Sequence, residues 1–316
     1  MTLVIKIGGQ AVEDAQQRHI LAKQIAELRR SGHRIVVVHG GGKLLTTTLA
    51  RLGIPTEFYR GLRVTCAETR DAALMVLAGV VNKRWVAELE RHGQPAIGIC
   101  GGDGGLVVAH KLALREPKSH GDANGSASSK GPNHLQGSNG RKDLGFVGRP
   151  SRVNPRILEM AFREGVVPVV ASVALSPRGE YLNVNADDFA AALASALEAD
   201  RLIYLTESGG VWDAERRLLP VVELGDIRRL IRQGIVRDGM IPKLESCART
   251  LRRKVGEIDI VSPQDRDVLL RALHHDQRVG TRIVTKAHPQ TTHISAGEKW
   301  DLPGRSSLSV PSEKSA

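Results

Sequence analysis

The chain has 316 residues, of which 41% are hydrophobic and only 3% aromatic, so it can bury a large core built mainly from aliphatic side chains. Its formal net charge is +11, but no aromatic side chains interleave with the basic ones, which argues against a nucleic-acid surface and favours a solvated basic one. Three scattered cysteines and a first apolar run of only five residues argue against a disulfide scaffold, a signal peptide and a membrane span. We therefore expect a cytoplasmic protein that binds neither nucleic acid nor membrane.

The first hundred residues alternate between short apolar runs and amphipathic stretches. The apolar runs at 3–7, 34–38 and 96–99 predict buried strands, and residues 15–30 and 69–92 predict helices. This alternation predicts a mostly parallel sheet that is covered by helices on both faces. Ligands of such sheets bind at the carboxyl ends of the strands.

The composition changes in the middle of the chain and again near its end. Residues 115–142 are rich in Ser, Gly, Asn, Lys and His, which predicts a flexible insertion. The later pattern predicts helices at 155–164, 187–197 and 243–253 and strands at 167–171, 201–206 and 257–261. Residues 285–316 are polar, which predicts a disordered tail.

Glycine clusters directly follow the first two predicted strands. Gly8-Gly9 and Gly40–Gly42 leave backbone N–H groups free to point at an anion, although their spacing matches neither the P-loop nor the dinucleotide fingerprint. Lys6 interrupts the first strand two residues before Gly8, where its amine could meet a phosphate. The alternative is a lysine on an edge strand that points to solvent.

Two further segments carry polar residues at the start of predicted helices. Residues 183–188 contain four polar side chains; each could be an ordinary helix cap, but Asn183 could also donate to a substrate carboxylate. Asp187 could hold two cationic side chains, and Lys243 follows a turn at Asp238-Gly239. Two lysines organised by one carboxylate would stabilise the charge on a phosphoryl group during its transfer.

Together these segments resemble the amino-acid kinase family, and within it the kinases that act on N-acetylglutamate. The match covers almost all of residues 1–284 apart from the insertion, and its most selective segments are Gly61–Thr65 and Asp143–Gly148. The other resembling segments are Lys6–Gly9, His39–Lys43, Val81–Lys83, Gly101–Gly105, Val153–Pro155, Asn183–Asp187, Asp238–Lys243 and Gly280–Ile283.

The resemblance implies an α/β amino-acid kinase fold, an open three-layer αβα sandwich with a mainly parallel eight-stranded central sheet. One kinase domain would span residues 1–284, with an acyl-amino-acid-binding and dimerisation half at about 1–175 and an ATP-binding half at about 176–284. The implied reaction is ATP-dependent phosphorylation of the side-chain carboxylate of N-acetyl-L-glutamate, in arginine biosynthesis. Mg²⁺ would bind through the phosphates of ATP, with no metal site on the protein itself.

The resemblance also assigns roles to individual residues. Lys6 and Lys243 would stabilise the transferring phosphoryl group, and Asp187 would orient both lysines. The acyl amino acid would be held by Gly41, Gly42, Arg63 and Asn183. The ATP-binding residues would be Gly8, Gly9, Thr206, Glu207, Gly210, Asp213 and Met240.

Four positions depart from the family pattern. Cys66 stands where an aspartate is usual, Cys100 and Gly102 stand where serine and lysine are common, and Glu207 replaces an aspartate. None of these changes removes a phosphoryl-handling residue. They leave open a kinase of carrier-protein-linked glutamate or aminoadipate, in lysine or arginine biosynthesis, because such carriers are acidic and this chain is basic. A non-catalytic regulatory binder on the same fold is the other alternative.

The start of the chain bears on assembly. Relatives that arginine inhibits carry an extra helix before the first strand, which links dimers into a hexamer. Here the first predicted strand begins at Leu3. We therefore expect a homodimer that arginine does not inhibit through that helix.

Overall fold

The computed structural model describes residues 1–115, 136–137, 141–236, 240–274, 277 and 279–286. Its strands are β1 (Thr2–Ile7), β2 (Arg34–His39), β3 (Phe58–Tyr59), β4 (Leu62–Arg63), β5 (Ala96–Cys100), β6 (Val107–Arg115), β7 (Gln136–Gly137), β8 (Arg141–Val153), β9 (Val167–Ala171), β10 (Val173–Leu175), β11 (Tyr181–Val184), β12 (Arg201–Leu205), β13 (Val221–Glu223), β14 (Glu257–Val261) and β15 (Thr281–Val284). Its α-helices are α1 (Ala15–Arg30), α2 (Gly42–Arg51), α3 (Ala67–Ala73), α4 (Asn82–Arg91), α5 (Arg156–Arg163), α6 (Ala186–Ala196), α7 (Ile227–Arg232), α8 (Met240–Leu251) and α9 (Val268–Ala272). Two 3₁₀ turns occupy Gly9–Val12 and Asp103–Gly105, and a π-helical segment, Leu74–Val81, joins α3 to α4.

The central sheet has eight strands in the order β13-β15-β14-β12-β1-β2-β9-β5. Only the pair β14–β15 is antiparallel. The strands are apolar and buried, as expected when helices cover both faces of a parallel sheet. The predicted three-layer αβα fold with a mainly parallel eight-stranded sheet is confirmed.

The alternation of side chains along β1 creates two separate cores. Leu3, Ile5 and Ile7 pack into one cluster, which contains residues of α1 and α4, whereas Val4 packs into the other, which contains residues of α6 and α8. Successive side chains of a strand point to opposite faces, so Lys6 shares the face of Val4. This register directs the lysine towards α6 and α8.

A second sheet, which the sequence did not predict, has five strands in the order β11-β10-β6-β8-β7. Its main part is the antiparallel pair β6–β8, in which Arg115 lies opposite Arg141, and β11 also pairs with β8. Residues 116–135 and 138–140 of the predicted insertion, and residues 287–316 of the predicted tail, lie outside the described residues. Residues 136–137 and 141–142 are strand, as is Arg115 at the end of β6, so these five residues of the predicted insertion are regular structure instead.

The helix predicted at 69–92 extends from Ala67 to Arg91 with the π-helical segment at its centre. The helix predicted at 243–253 begins at Met240 and ends at Leu251. Within the described part of the chain, no helix combines the length and the apolar character needed to cross a membrane.

Candidate active site

Three side chains from different elements meet at the carboxyl end of β1. The Nζ atom of Lys6 lies 2.7 Å from Oδ1 of Asp187, and the Nζ atom of Lys243 lies 2.6 Å from Oδ2. Both lysine side chains are nearly buried, with 12% and 13% of their surface exposed. The structure thus brings together the three residues that the sequence predicted to handle the phosphoryl group.

The electrostatics of this cluster keep the carboxylate ionised. Burial would raise the pKa of Asp187, but the charges of Lys6 and Lys243 outweigh burial and lower this pKa to about 2. One carboxylate carries a single negative charge between two ammonium groups. The cluster therefore keeps a net positive charge, which suits a polyanionic ligand.

The start of α6 fixes the position of Asp187. Asn185 caps the helix, because its Oδ1 accepts hydrogen bonds from the backbone N–H groups of Asp187 at 2.9 Å and Asp188 at 3.2 Å. The buried hydroxyl of Tyr204 donates to the carbonyl of Asp187 at 3.3 Å, and the ring of Tyr204 lies 5.1 Å from Nζ of Lys243. Tyr204, which the sequence analysis missed, therefore contacts both partners in the cluster.

The predicted nucleotide residues Gly8, Gly9 and Glu207 lie against one another. A Cβ atom on Gly8 would displace Nζ of Lys6, whereas Gly9 has a φ of 60° and a Cβ atom there would lie 2.7 Å from Oε1 of Glu207, so Gly9 favours glycine. The same Oε1 accepts a hydrogen bond from the backbone N–H of Gln10 at 3.0 Å. Glu207 thus joins the turn after β1 to the loop after β12.

Three of the remaining predicted nucleotide residues, Thr206, Gly210 and Asp213, lie in or beside that second loop, and the fourth, Met240, lies on α8. Thr206 accepts a hydrogen bond from the backbone of Gly209, and Gly210 has a φ of 158° beside Thr281. The carboxylate of Asp213 accepts hydrogen bonds within its own turn, from the backbone and side chain of Arg217, which lower its pKa. Met240, at the start of α8, packs on the hydrophobic core. The contacts of Asp213 therefore stabilise its own turn, and those of Met240 stabilise the core.

A cavity of about 190 Å³ lies beside the lysine cluster and contains all four residues predicted to bind the acyl amino acid. These residues are Gly41, Gly42, Arg63 and Asn183. The cavity wall also includes Asn185 and Ala186 at the start of α6, directly before Asp187. A carboxylate bound here would face both a helix amino terminus and the lysine cluster.

Arg63 is 7% exposed and held from several sides. Its Nη2 donates to the carbonyl of Gly42 at 3.0 Å and to Oγ1 of Thr46 at 2.7 Å, and its guanidinium lies 4.7 Å from the centre of the Phe58 ring. Asn183, which also lines the cavity, donates from Nδ2 to Oγ1 of Thr65 at 3.4 Å. These contacts fix the orientation of the donors before a ligand arrives.

A buried hydrogen-bond chain, also missed from the sequence, supports the Gly40–Gly42 loop. Nδ1 of His39 lies 2.8 Å from the carbonyl of Gly40, and Nε2 of His39 lies 3.1 Å from Nδ2 of Asn82. Burial lowers the pKa of His39 to about 4, so the ring is neutral near pH 7, and the network assigns its proton to Nδ1. Asn82 also donates to the carbonyl of Val169 at 2.9 Å, which ties the loop to β9.

The model of the amino acid kinase family matches residues 1–262. The chain belongs to the amino acid kinase family. Acetylglutamate kinase of Koribacter versatilis is 42% identical over 284 residues, which make up 90% of this chain and 99% of the relative. Acetylglutamate kinase of Nitrobacter hamburgensis is 40% identical over 284 residues, which make up 89% of this chain and 90% of the relative.

Solved structures share this amino acid kinase fold. The N-acetylglutamate synthase of Neisseria gonorrhoeae, solved with coenzyme A and N-acetyl-glutamate, superposes with a TM-score of 0.74 at 23% identity. The match covers 91% of this chain and 60% of the synthase chain. At this identity the likeness supports the fold alone.

Two of the departures from the amino acid kinase pattern have a local structural account. The Sγ atom of Cys66 caps α3 by accepting from the backbone N–H of Thr69 at 3.5 Å, a part that an aspartate plays with its carboxylate. At Gly102, a Cβ atom would lie 2.8 Å from the ring of Tyr181, so this tyrosine fills the space that a larger residue would need. Both changes alter surroundings and leave the lysine cluster intact.

Proposed function

We propose that this chain transfers the γ-phosphoryl group of ATP to the side-chain carboxylate of N-acetyl-L-glutamate, giving N-acetylglutamyl 5-phosphate and ADP in arginine biosynthesis. The observation that carries the proposal is the pair of lysines on Asp187, placed at the end of a cavity that Arg63 and Asn183 line. Acetylglutamate kinases that align with about 90% of the chain identify the acceptor.

The reaction needs positioning and charge stabilisation. The acceptor carboxylate is already ionised at neutral pH, so no general base is required. One of its oxygens forms a bond to the γ-phosphorus while the bond from that phosphorus to the bridging β–γ oxygen breaks, and the electron pair leaves with ADP. Negative charge on the transferring group would be stabilised by Lys6 and Lys243, which Asp187 holds on either side.

Each ligand is assigned to one part of the site. Arg63 and Asn183 would hold the α-carboxylate and acetamido end of the substrate, and the backbone of Gly41 and Gly42 would face its reacting end. ATP would lie along Gly8, Gly9 and the 206–213 loop. An acyl-binding half at about 1–175 and an ATP-binding half at about 176–284 would then each lend residues to the other ligand, because Asn183 would contact the acyl substrate and Gly8 and Gly9 would contact ATP.

Magnesium fits this site only through the nucleotide. Both carboxylate oxygens of Asp187 are already paired with lysines, so this group is not free to ligate an ion. Mg²⁺ usually keeps several waters and binds through substrate phosphates, where it would neutralise charge on ATP.

The experiment that tests the proposal compares acceptors. Purified protein is incubated with ATP, Mg²⁺ and hydroxylamine, which traps an acyl phosphate as a hydroxamate. We expect hydroxamate with free N-acetyl-L-glutamate. Product formed only with a glutamate or aminoadipate linked to a carrier protein would replace the proposed acceptor by the carrier-linked one. No product with any acceptor, from protein that still binds ATP, would favour a regulatory binder.

We also propose that the protein is a homodimer that acts in the cytoplasm. Three large apolar side chains are more than 40% exposed on the π-helical segment and the neighbouring edge strand β5, namely Met75, Val80 and Ile97. A second copy of the chain could cover them.

ATP as co-substrate and the three free cysteines support a reducing compartment.

A further inference from the structure

A second cluster of chemically active side chains lies on the opposite face of the sheet from Asp187. His19 comes from α1, whereas Glu88 lies on the last turn of α4 and His92 directly follows it. One ligand atom from each of the three side chains lies within 4.8 Å of the other two. We propose that His19, Glu88 and His92 form a site for a divalent transition-metal ion, which joins α1 to α4.

Two of the distances between the ligand atoms lie near those of such a site. Nδ1 of His19 lies 2.9 Å from Oε1 of Glu88, and Nε2 of His92 lies 3.7 Å from the same oxygen. Two ligand atoms that each lie about 2.0–2.1 Å from a tetrahedral zinc ion are about 3.3 Å apart. Shifts of about 0.4 Å therefore bring each nitrogen to this separation from Oε1, and the two histidine nitrogens, which lie within 4.8 Å of each other, would close on the ion as it binds.

A buried nitrogen in the cluster lacks a partner. Among the described residues, Nε2 of His92 has no hydrogen-bond partner, because 3.7 Å from Glu88 is too long for one. Leaving a buried polar atom unsatisfied is unfavourable, and native structures rarely do so. A metal ion between His92 and Glu88 would satisfy this nitrogen through its lone pair.

The surroundings of Glu88 divide its two oxygens between different partners. Oε1 faces the two histidines, whereas Oε2 lies 3.4 Å from Nη1 of Arg91, an arrangement that resembles the outer contacts that orient a ligating carboxylate. Arg91 and the nearby Arg18 are both positively charged, and Arg18 interacts with Glu88. Their positive charges lower the affinity for any divalent cation, so selectivity must come from the ligand atoms, and hard cations such as Mg²⁺ or Ca²⁺ prefer oxygen ligands. Two imidazoles and one carboxylate instead suit Zn²⁺, Ni²⁺ or Cu²⁺.

The burial pattern gives such an ion both support and access. Glu88 is 8% exposed, whereas His19 is 49% exposed, so an ion bound here would keep one position open to water on the solvent side. Metal binding would replace the hydrogen bond between His19 and Glu88 by a bond from each of these groups to the ion. The ion would fasten α1, which follows the Gly8-Gly9 turn, to α4, which continues from the π-helical segment whose Leu77 lines the acyl cavity.

The test is thermal unfolding of the untagged, metal-free protein with and without Zn²⁺. At a free zinc concentration about 100-fold above the dissociation constant, we expect the melting temperature to rise by about 3–6 °C. His19→Gln and His92→Gln each remove one ligand and should abolish this rise. His110→Gln, which changes an exposed histidine on β6, is the matched control and should keep it.

Co²⁺ gives a readout that does not depend on stability. Wild-type protein should develop the ligand-field absorption of a tetrahedral site with one equivalent of Co²⁺, and His19→Gln, an exposed change that leaves the core untouched, should not. No shift with Zn²⁺ and no Co²⁺ spectrum in the wild type would overturn the proposal. Equal responses in the wild type and both variants would also overturn it, because the metal would then bind elsewhere, for example at the exposed Cys66.

Discussion

Both carboxylate oxygens of Asp187 are paired with lysines, and this pairing links the active site to the stability of the fold. The pKa of Asp187 falls from an ordinary 3.8 to about 2 in the folded protein. A carboxyl group whose pKa is lowered on folding stabilises the folded state above its unfolded pKa. This contribution is lost as the pH falls through the folded pKa.

The first prediction follows from this shift. Asp187 should contribute on the order of 2 kcal/mol to the free energy of unfolding above about pH 4, with the contribution lost between about pH 4 and pH 2. Urea unfolding of the wild type and Asp187→Asn, measured from pH 6 down to pH 3, checks it. We expect the wild-type advantage to shrink below about pH 4. A difference that does not change with pH would contradict the assigned pKa.

Arg63 carries the second prediction. Its planar guanidinium donates to Gly42 and Thr46 while it lines the acyl cavity, and the single amine of a lysine cannot reproduce that fork. Arg63→Lys should raise the Michaelis constant for N-acetylglutamate about 10- to 100-fold, and leave that for ATP nearly unchanged. Steady-state kinetics with each substrate varied in turn gives the answer. Equal increases for both substrates would exclude Arg63 as an acyl-site residue.

Single residues differ in how well the sequence predicts them. Lys6 and Asp187 were identified because a charged residue in an apolar strand and a polar cluster at a helix start both need an explanation. His39 and Asn82 sit in a strand and a helix where each is unremarkable alone. Their hydrogen bond joins positions 43 residues apart, so only the fold shows it.

At the scale of elements, the loop between β2 and α2 gives a prediction with a built-in control. Gly41 has a φ of 144°, and a Cβ atom there would lie 2.9 Å from Cδ2 of Leu77 on the π-helical segment. Gly42 begins α2, and a Cβ atom there would have no described atom within 4 Å. The two neighbouring glycines should therefore respond to alanine in opposite ways.

Gly41→Ala should lower the free energy of unfolding by roughly 1–3 kcal/mol, because of backbone strain and the clash with Leu77. Gly42→Ala should leave it unchanged or raise it by up to about 1 kcal/mol, since alanine is a better helix former than glycine. Urea unfolding of both variants measures the difference. Equal losses of stability would show that the loop is not held as described.

Elements with a strong local pattern were predicted well. The apolar run at 257–261 and the amphipathic stretch at 15–30 predicted the observed bounds of β14 and α1. A strand buried in the sheet and a helix packed against it both need a pattern of apolar residues that can be seen in the sequence. The second sheet was missed. Its longest strand, β8, contains Arg, Lys, Asp and Pro, which are not typical of strands. The pairing of β8 with β6 leaves no local pattern in the sequence.

At the scale of the whole molecule, the central sheet carries a cluster of ionisable side chains on each of its two faces. The face of Val4 and Lys6 carries the lysine cluster, whereas the face of α1 and α4 carries the His19–Glu88–His92 cluster. The two can therefore be altered separately. A metal ion bound by His19, Glu88 and His92 would affect the lysine cluster only through the central sheet and through helices such as α1, which follows the Gly8-Gly9 turn.

The proposed homodimer gives a prediction at the same scale. If Met75 and Val80 lie in a dimer interface, Met75→Glu should give monomers, because an unpaired charge would be buried there. Light scattering of the wild type should show a dimer. Met160→Glu, which changes a similarly exposed methionine on α5, is the control and should remain dimeric. A monomeric wild type, or a dimeric Met75→Glu, would place the interface elsewhere or remove it.

The central claim is that two lysines, held by one aspartate, stabilise the phosphoryl group during its transfer to N-acetylglutamate. Single-turnover transfer from labelled ATP, measured for the wild type, Lys6→Ala and the exposed control Lys23→Ala, tests it most directly. We predict that Lys6→Ala slows transfer about 10²- to 10³-fold with ATP binding nearly unchanged, because the lysine acts mainly in the transition state, and that Lys23→Ala behaves like the wild type. Near-normal transfer by Lys6→Ala would contradict the account.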